Sequence, residues 1–225
     1  MKVVEIFNSI EGEGIRAGLP ATFIRLYGCN LDCSYCDTRY ASQKYADQDG
    51  NGYTTMSVNE IINSVSGYGC LNVTITGGEP MIHPGFDKLV KRLAMLGFSV
   101  NVETNGTCAV PEEYRFGLES WDDVFFTMDY KCPSSGMEHR MSVVRTDTLR
   151  SKDVLKFVVG SKEDLDEMVN VIDSLECSPH IFVSPVFGQI KPADIVDYLL
   201  KHRLFDCRVQ LQLHKLIWAP DERGV

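Results

Sequence analysis

The chain predicts an α/β fold, a partial (β/α) barrel of about six units, and three features carry that expectation. Strand-like runs alternate with amphipathic helical runs, a rhythm that implies parallel strands joined by right-handed crossovers. The 225 residues fall slightly short of the roughly 250 that a complete eight-stranded barrel takes. No Gly-x-Gly-x-x-Gly opens a helix, which counts against the alternative, a doubly wound sheet. At 44% hydrophobic, the sequence can fill one core, and a single domain over residues 1–225 is expected.

The elements follow in order. Met1-Lys2-Val3-Val4-Glu5 reads as a strand rather than a signal peptide. Apolar or β-branched runs at 21–27, 71–76, 98–103, 123–128, 154–159, 180–184 and 208–213 read as further strands. Residues 47–52 read as a flexible loop tip. Ser57 and Glu60 form a capping box ahead of Ile61, Ile62 and Val65. Phe86, Leu89, Val90, Leu93 and Leu96 share a helical face that Gly97 stops. Leu165, Met168, Val169, Ile172 and Leu175 repeat the pattern after Ser161, and Ile195, Leu199 and Leu200 follow Pro192. Alternation then groups Phe23, Arg25 and Tyr27, Thr74 with Thr76, Asn101 with Glu103, and Gln210, Gln212 and His214 on single strand faces. Polar strand ends are where barrel enzymes build active sites.

Composition narrows the function. A net charge of -9 argues against nonspecific nucleic-acid binding. No apolar run is long enough to cross a membrane. Eight cysteines without a signal peptide suit a reducing cytoplasm, where thiols stay free to bind metal.

Cys29, Cys33 and Cys36 form a C-x3-C-x2-C triplet with no fourth cysteine nearby. A four-iron cluster normally takes four cysteines, so three leave one iron open for chemistry. Zinc is the other reading of the triplet, although it wants a fourth Cys or His at short spacing. Cys70, Cys108, Cys132, Cys177 and Cys207 lack cluster spacing and read as buried or free thiols. Thr76-Gly77-Gly78-Glu79-Pro80 follows one strand–helix unit later. Its paired glycines would let a ligand approach the backbone, and Glu79 offers an acceptor for an amine.

The triplet and Gly77-Gly78-Glu79-Pro80 resemble the radical S-adenosylmethionine (SAM) superfamily. Further stretches resemble the 7-carboxy-7-deazaguanine synthase family within it. They are Phe7 to Gly14, Gly18-Leu19-Pro20, Phe23-Ile24-Arg25, Asp37-Thr38, Glu103 to Thr107, Lys131 with Pro133-Ser134-Ser135, and Leu213 to Val225 through Trp218. The resemblance implies a [4Fe-4S] cluster on Cys29, Cys33 and Cys36, SAM, and Mg²⁺ on Thr38. A 5′-deoxyadenosyl radical would abstract hydrogen from 6-carboxy-5,6,7,8-tetrahydropterin. The ring would contract, SAM would be regenerated and ammonia would leave, giving 7-carboxy-7-deazaguanine on the route to queuosine.

By the same resemblance Tyr35, Gly77, Gly78 and Glu79 fall at cofactor positions, as do Asp129, Tyr130, Lys131 and Ser184. Ile10, Glu11, Gly12 and Glu13 fall at the pterin edge, Arg25 at its carboxylate, and Thr76, His214 and Val225 at further substrate contacts. Glu13, Arg25 and His214 are the catalytic candidates. Residues 156–163 have a weaker likeness to the adenine-side strand. The family also implies a reductant such as flavodoxin or ferredoxin, and a homodimer. Two positions depart from it: Glu11 stands where Gln is frequent, and Asp129-Tyr130-Lys131 where Ser-Pro-Lys is frequent. The rival enzyme is a glycyl-radical activating enzyme, opposed by residues 10–14, Thr38 and the Arg223-Gly224-Val225 tail. A non-enzymatic iron–sulfur or zinc protein leaves Gly77–Pro80 and the polar strand ends unexplained.

Overall fold

Successive side chains of a strand point to opposite faces, and in this chain the two faces differ in chemistry. The computed structural model describes residues 1–46, 52–117, 121–219 and 222–225, without the side chains of 45 and 46. Its strands are β1 (Lys2–Ile10), β2 (Pro20–Leu26), β3 (Thr54–Thr55), β4 (Asn72–Gly77), β5 (Ser99–Thr104), β6 (Val124–Tyr130), β7 (Val154–Val159), β8 (His180–Pro185) and β9 (Cys207–Val209). They form one sheet in the order β3-β1-β2-β4-β5-β6-β7-β8-β9. β1 runs antiparallel to β2 and β3, and every pairing from β2 to β9 is parallel. Sequence order and spatial order coincide along the parallel strands, so no switch point divides the sheet. β3 and β9 form its open edges. This is the expected partial barrel, with six connections between parallel strands.

The helices, in chain order, are α1 (Gln43–Ala46), α2 (Val58–Tyr68), α3 (Phe86–Met95), α4 (Glu112–Arg115), α5 (Val143–Thr146), α6 (Lys162–Ser174), α7 (Pro192–Lys201) and α8 (His214–Ile217). Capping boxes start α2 at Ser57 and α6 at Ser161, where Asp164 supplies the return bond. The apolar stripes of α2, α3, α6 and α7 pack on Val73, Ile75, Val100, Val102, Phe126, Phe157 and Val183, the outward residues of the strands. The α-helices of the β5–β6 and β6–β7 connections, α4 and α5, are single turns, and fully buried Tyr114 and Trp121 add bulk to the core. Tyr114 donates its hydroxyl to Asp153, whose carboxylate also accepts from the Phe126 and Arg150 amides at 2.8 and 2.6 Å. Leu96 and Leu200, expected in the apolar stripes, are exposed at the helix ends, while Val171 and Tyr198 take core positions. The last strand stops at Val209 rather than 213, so Gln210 and Gln212 lie beyond it and His214 opens α8. Most of the expected loop tip, residues 47–51, lies outside the described residues.

The inner face is polar and is plugged at one end. Arg16, in the β1–β2 connection, reaches across the starts of β4 and β5. It donates to Glu11 at 2.8 Å, Val73 O at 3.2 Å, Thr74 Oγ1 at 3.1 Å and Ser99 O at 3.0 Å, and it lies 4.9 Å over the Phe125 ring. Glu11 is 1% exposed and also accepts from Thr74. The departure to Glu at position 11 therefore has a structural partner: its charge balances Arg16. Glu11→Ala would strand a buried guanidinium, and we expect a loss of about 3–5 kcal/mol. Chemical denaturation should show it as a lowered midpoint, with Glu11→Gln losing less.

Candidate active site

The root of the cysteine loop is held in place by backbone contacts. Gly78 N donates to Leu26 O at 3.0 Å, and Glu79 N to Gly28 O at 2.8 Å. A Cβ at Gly77 would stand 2.1 Å from Leu26 O, and one at Gly78 2.1 Å from Gly28 O. The paired glycines thus allow approach by the chain itself, bringing β4 against the root of the loop, and they also border the cavity. Farther along, Ser34 N donates to Ser135 O at 3.0 Å, and Ser34 Oγ to Ser134 O at 2.6 Å. Cys29, Cys33 and Cys36 carry free thiols and line one cavity of about 590 Å³. Cys29 Sγ accepts from Leu31 N at 3.4 Å and Asn105 Nδ2 at 3.6 Å, the kind of contact that tunes iron–sulfur centres.

Burial pushes Cys33 up to about 11, with Lys131 opposing and the neighbouring thiols reinforcing the shift. Cys36 is raised by burial as well. Metal loading therefore displaces protons. Among the described residues, no group of three His, Cys, Asp or Glu side chains is arranged to hold a single metal ion. Three soft donors spread along one loop suit a multi-iron cluster better than four-coordinate zinc.

The cavity floor is a chain of alternating charges on facing strands. Lys156 on β7 reaches Asp129 on β6 at 3.0 Å and Glu13 at 3.3 Å. Glu13 accepts further from Ser184 Oγ at 2.7 Å and Gln212 Nε2 at 3.2 Å. Burial opposes the Glu13 carboxylate, yet Lys156, Ser184 and Gln212 outweigh it and hold the group below the usual range. Asp129 is lowered in the same way, against burial, by Lys131 and Lys156. Despite its burial, Lys156 is raised well above the ordinary lysine value by these carboxylates. On β5, Glu103 accepts from Thr76 Oγ1 at 2.7 Å.

The rim joins the N-terminal strands to the tail. Arg25 Nε donates to Glu5 at 2.6 Å, and its guanidinium lies 5.7 Å from both the Phe7 and Tyr40 ring centres. Tyr40 donates to the same Glu5 oxygen at 3.1 Å and carries the Arg223 guanidinium 4.0 Å over its ring. Residues 222–225 border the cavity, Val225 included. Thr38 Oγ1 donates to Asp37 at 3.0 Å, and Lys215 holds the other Asp37 oxygen at 2.7 Å, which takes Asp37 down to about 2 against its burial. His214 seats on Gly12, where a Cβ would come within 2.3 Å of Nδ1.

Most residues singled out from sequence therefore meet in one cavity: Ile10, Glu11, Gly12, Glu13, Arg25, Tyr35, Thr38, Thr76, Gly77, Gly78, Asp129, Lys131, His214 and Val225 all border it. Three do not. The Glu79 carboxylate is fully buried and accepts from Asn105 N at 2.6 Å, Thr104 Oγ1 at 2.9 Å and Met81 N at 3.0 Å, so it shapes the turns after β4 and β5. Tyr130 faces the helices by strand parity, meeting Glu167 and the Phe157 ring. Ser184 lies one layer back, orienting Glu13. Tyr27, beyond the end of β2, also leaves the cavity face and packs on Tyr53. The Glu11 backbone groups are spent on Leu19 and Gly18.

Sequence reasoning assigned no contacts to Lys156, though a lysine inside Val154-Leu155-Lys156-Phe157-Val158-Val159 is itself a signal, since a charge in a buried strand needs partners. Tyr40, Lys215 and Arg16 gave no comparable signal.

Comparison with known proteins bears on this geometry. Residues 23–130 match the family model of the radical SAM superfamily. A 7-carboxy-7-deazaguanine synthase from Clostridium acetobutylicum is 42% identical over 227 residues, covering 100% of this chain and 99% of the relative. One from Methanospirillum hungatei is 40% identical, covering 98% of this chain and 86% of its own. Among solved structures, QueE from Escherichia coli superimposes with a TM-score of 0.71 at 24% identity, over 94% of this chain and 93% of that one. SuiB from Streptococcus suis bound to S-adenosylmethionine reaches a TM-score of 0.55 at 15% identity, over 84% of this chain and 46% of that one. Both structural likenesses speak to the fold.

Proposed function

Because the chain belongs to the 7-carboxy-7-deazaguanine synthase family of radical SAM enzymes, we propose that it converts 6-carboxy-5,6,7,8-tetrahydropterin to 7-carboxy-7-deazaguanine and ammonia. The observation that carries this reading is the single cavity shared by the three free cysteines, the Glu13–Lys156–Asp129 floor and Arg25. A [4Fe-4S] cluster on Cys29, Cys33 and Cys36, with SAM, supplies reversible hydrogen abstraction when bound. The protein's task is then to orient, to balance charge and to exclude water.

Glu13 is fixed as an anion, and its carboxylate suits the guanidine-like N–H groups of the pterin. Arg25 spends Nε on Glu5, which leaves the outer edge of the guanidinium for a substrate carboxylate. The rings of Phe7 and Tyr40 both lie within cation–π range of that guanidinium. Thr76 and His214 add polar contacts to the same chamber. On the cofactor side, Tyr35 is anchored by its hydroxyl on Val158 O at 3.3 Å and offers a ring edge, while Lys131 and Asp129 offer opposite charges to SAM. Mg²⁺ takes oxygen ligands, and Thr38 provides a hydroxyl beside the carboxylate subsite. By family likeness the reading extends to a flavodoxin or ferredoxin reductant and to a homodimer in the cytoplasm.

The deciding experiment is anaerobic turnover with reductant, SAM and the carboxypterin. Deazaguanine and ammonia without net loss of SAM are expected, and stoichiometric 5′-deoxyadenosine formed only with a protein partner would reject the proposal. Replacing Cys29, Cys33 or Cys36 with Ala should abolish both the brown chromophore and turnover, because three attachment points leave no spare ligand. Arg25→Lys keeps the charge but not the planar fork. We expect KM to rise on the order of 10- to 100-fold with iron content unchanged. Removing residues 223–225 should raise KM and increase uncoupled SAM cleavage, read as 5′-deoxyadenosine formed per product.

A further inference from the structure

Six side-chain carboxyls border the cavity: Glu11, Glu13, Asp37, Glu103, Asp129 and Glu222. Four of them have a cation at bonding distance. Glu11 has Arg16 at 2.8 Å, Glu13 has Lys156 at 3.3 Å, Asp37 has Lys215 at 2.7 Å, and Asp129 has Lys131 at 2.8 Å and Lys156 at 3.0 Å. Glu222 is exposed on the tail. Glu103 stands apart from both kinds. It projects from the inner face near the end of β5, and its hydrogen bond comes from the neutral Thr76 hydroxyl at 2.7 Å. Among the described residues, no cation lies within ion-pair distance of it.

We propose that Glu103 is the proton-transfer group of this active site, giving its proton to the departing amine nitrogen and collecting the proton that the ring releases. The inference rests on the function proposed above, in which the substrate differs in composition from the deazaguanine by ammonia alone. As the C–N bond breaks, its electron pair goes to nitrogen, and that nitrogen takes the carboxyl proton and leaves as ammonia. The resulting Glu103 carboxylate removes a proton from the adjacent ring atom, whose bonding pair becomes the new ring double bond. The carboxyl is restored, and no oxidant or reductant is consumed in this step.

The neighbours of Glu103 suit it to both halves of that exchange. Burial favours its neutral form, as do Glu11 behind β1 and Asp129 on β6. Lys156 on β7 and Thr76 on β4 favour the anion. The balance pushes the group up to about 7, where a carboxyl can both give and take a proton. Glu13 and Asp129, held ionised, have no proton to give, and Lys156, held charged, cannot accept one. Carboxyls set apart by their environments mark the division of roles.

Glu103→Gln tests the assignment in the cluster-loaded enzyme, because it keeps the shape and the Thr76 contact while removing the transferable proton. Single-turnover ammonia release should fall by about 100-fold or more. Transfer of deuterium from labelled substrate into SAM, which precedes amine loss, should persist. In the wild type, ammonia release should decline as pH rises through neutrality, since the acid form is lost above its pKa, and the variant should lose that limb. Independently of turnover, the infrared difference between wild type and Glu103→Gln should contain a protonated carboxyl band at mildly acidic pH that fades through neutrality.

A loss of ammonia release smaller than about tenfold would overturn the inference. So would deuterium transfer falling in step with it, which would make Glu103 a substrate-seating residue, and so would absence of the carboxyl band. If the wild type yields neither ammonia nor deazaguanine, the proposed function falls and this inference with it.

Discussion

The site depends on one buried ammonium. Lys156 sits 6% exposed on the inner face of β7, and two carboxylates from different elements converge on it. Without that positive charge Asp129 would keep Lys131, but Glu13 would be left buried beside a second carboxylate with no cation of its own, which favours its neutral form. With it, both are anions, and the polar inner face is stable next to an apolar outer face. Removing one member of such a network leaves the others desolvated and unpaired, which is costlier than never having built it. The same lysine sets the gradient across the cavity floor: carboxylates it touches are ionised, and the one it only influences from farther away is left near neutrality.

Around that charge the fold acts as a distribution device. The parallel strands β2 and β4 to β7 each deliver one or two residues to the cavity wall, among them Arg25 from β2, Thr76 from β4, Glu103 from β5, Asp129 from β6, and Lys156 and Val158 from β7. The register sets Arg25 opposite Thr76, and Asp129 opposite Lys156. Because strand order follows chain order, neighbours on the cavity wall are also neighbours in the sequence of elements. Arg16 plugs one end, and residues 222–225 border the other.

Much of this could be read from the residues, for physical reasons. Helix starts at Ser57 and Ser161 were legible because a capping box is a local interaction. The cysteine triplet and most cavity residues were legible through parity and motif, which report direction and donor chemistry. What escaped depends on distance in three dimensions. Glu79 and Asn105 lie one strand–helix unit apart in the chain and meet beyond the ends of β4 and β5, a contact that sequence proximity does not report, and there the acidic residue of the glycine motif braces a turn. Tyr130 was placed with its sequence neighbours Asp129 and Lys131, although parity sends it to the opposite face. Arg16 lies in a loop with no periodicity, and its hydrogen-bond partners come from three other stretches of chain, around Glu11, Val73 and Ser99.

The backbone anchoring of the cysteine loop has a thermodynamic corollary. In small zinc domains the metal supplies the folding energy, so removing it unfolds the chain. Here the loop is stitched to the body by main-chain bonds from Gly78 to Leu26, Glu79 to Gly28, Gly28 to Ala41 and Ser34 to Ser135, none of which involves a thiol. The tether of the loop is thereby independent of the three sulfurs, unlike that of a domain whose ligands are its only crosslink.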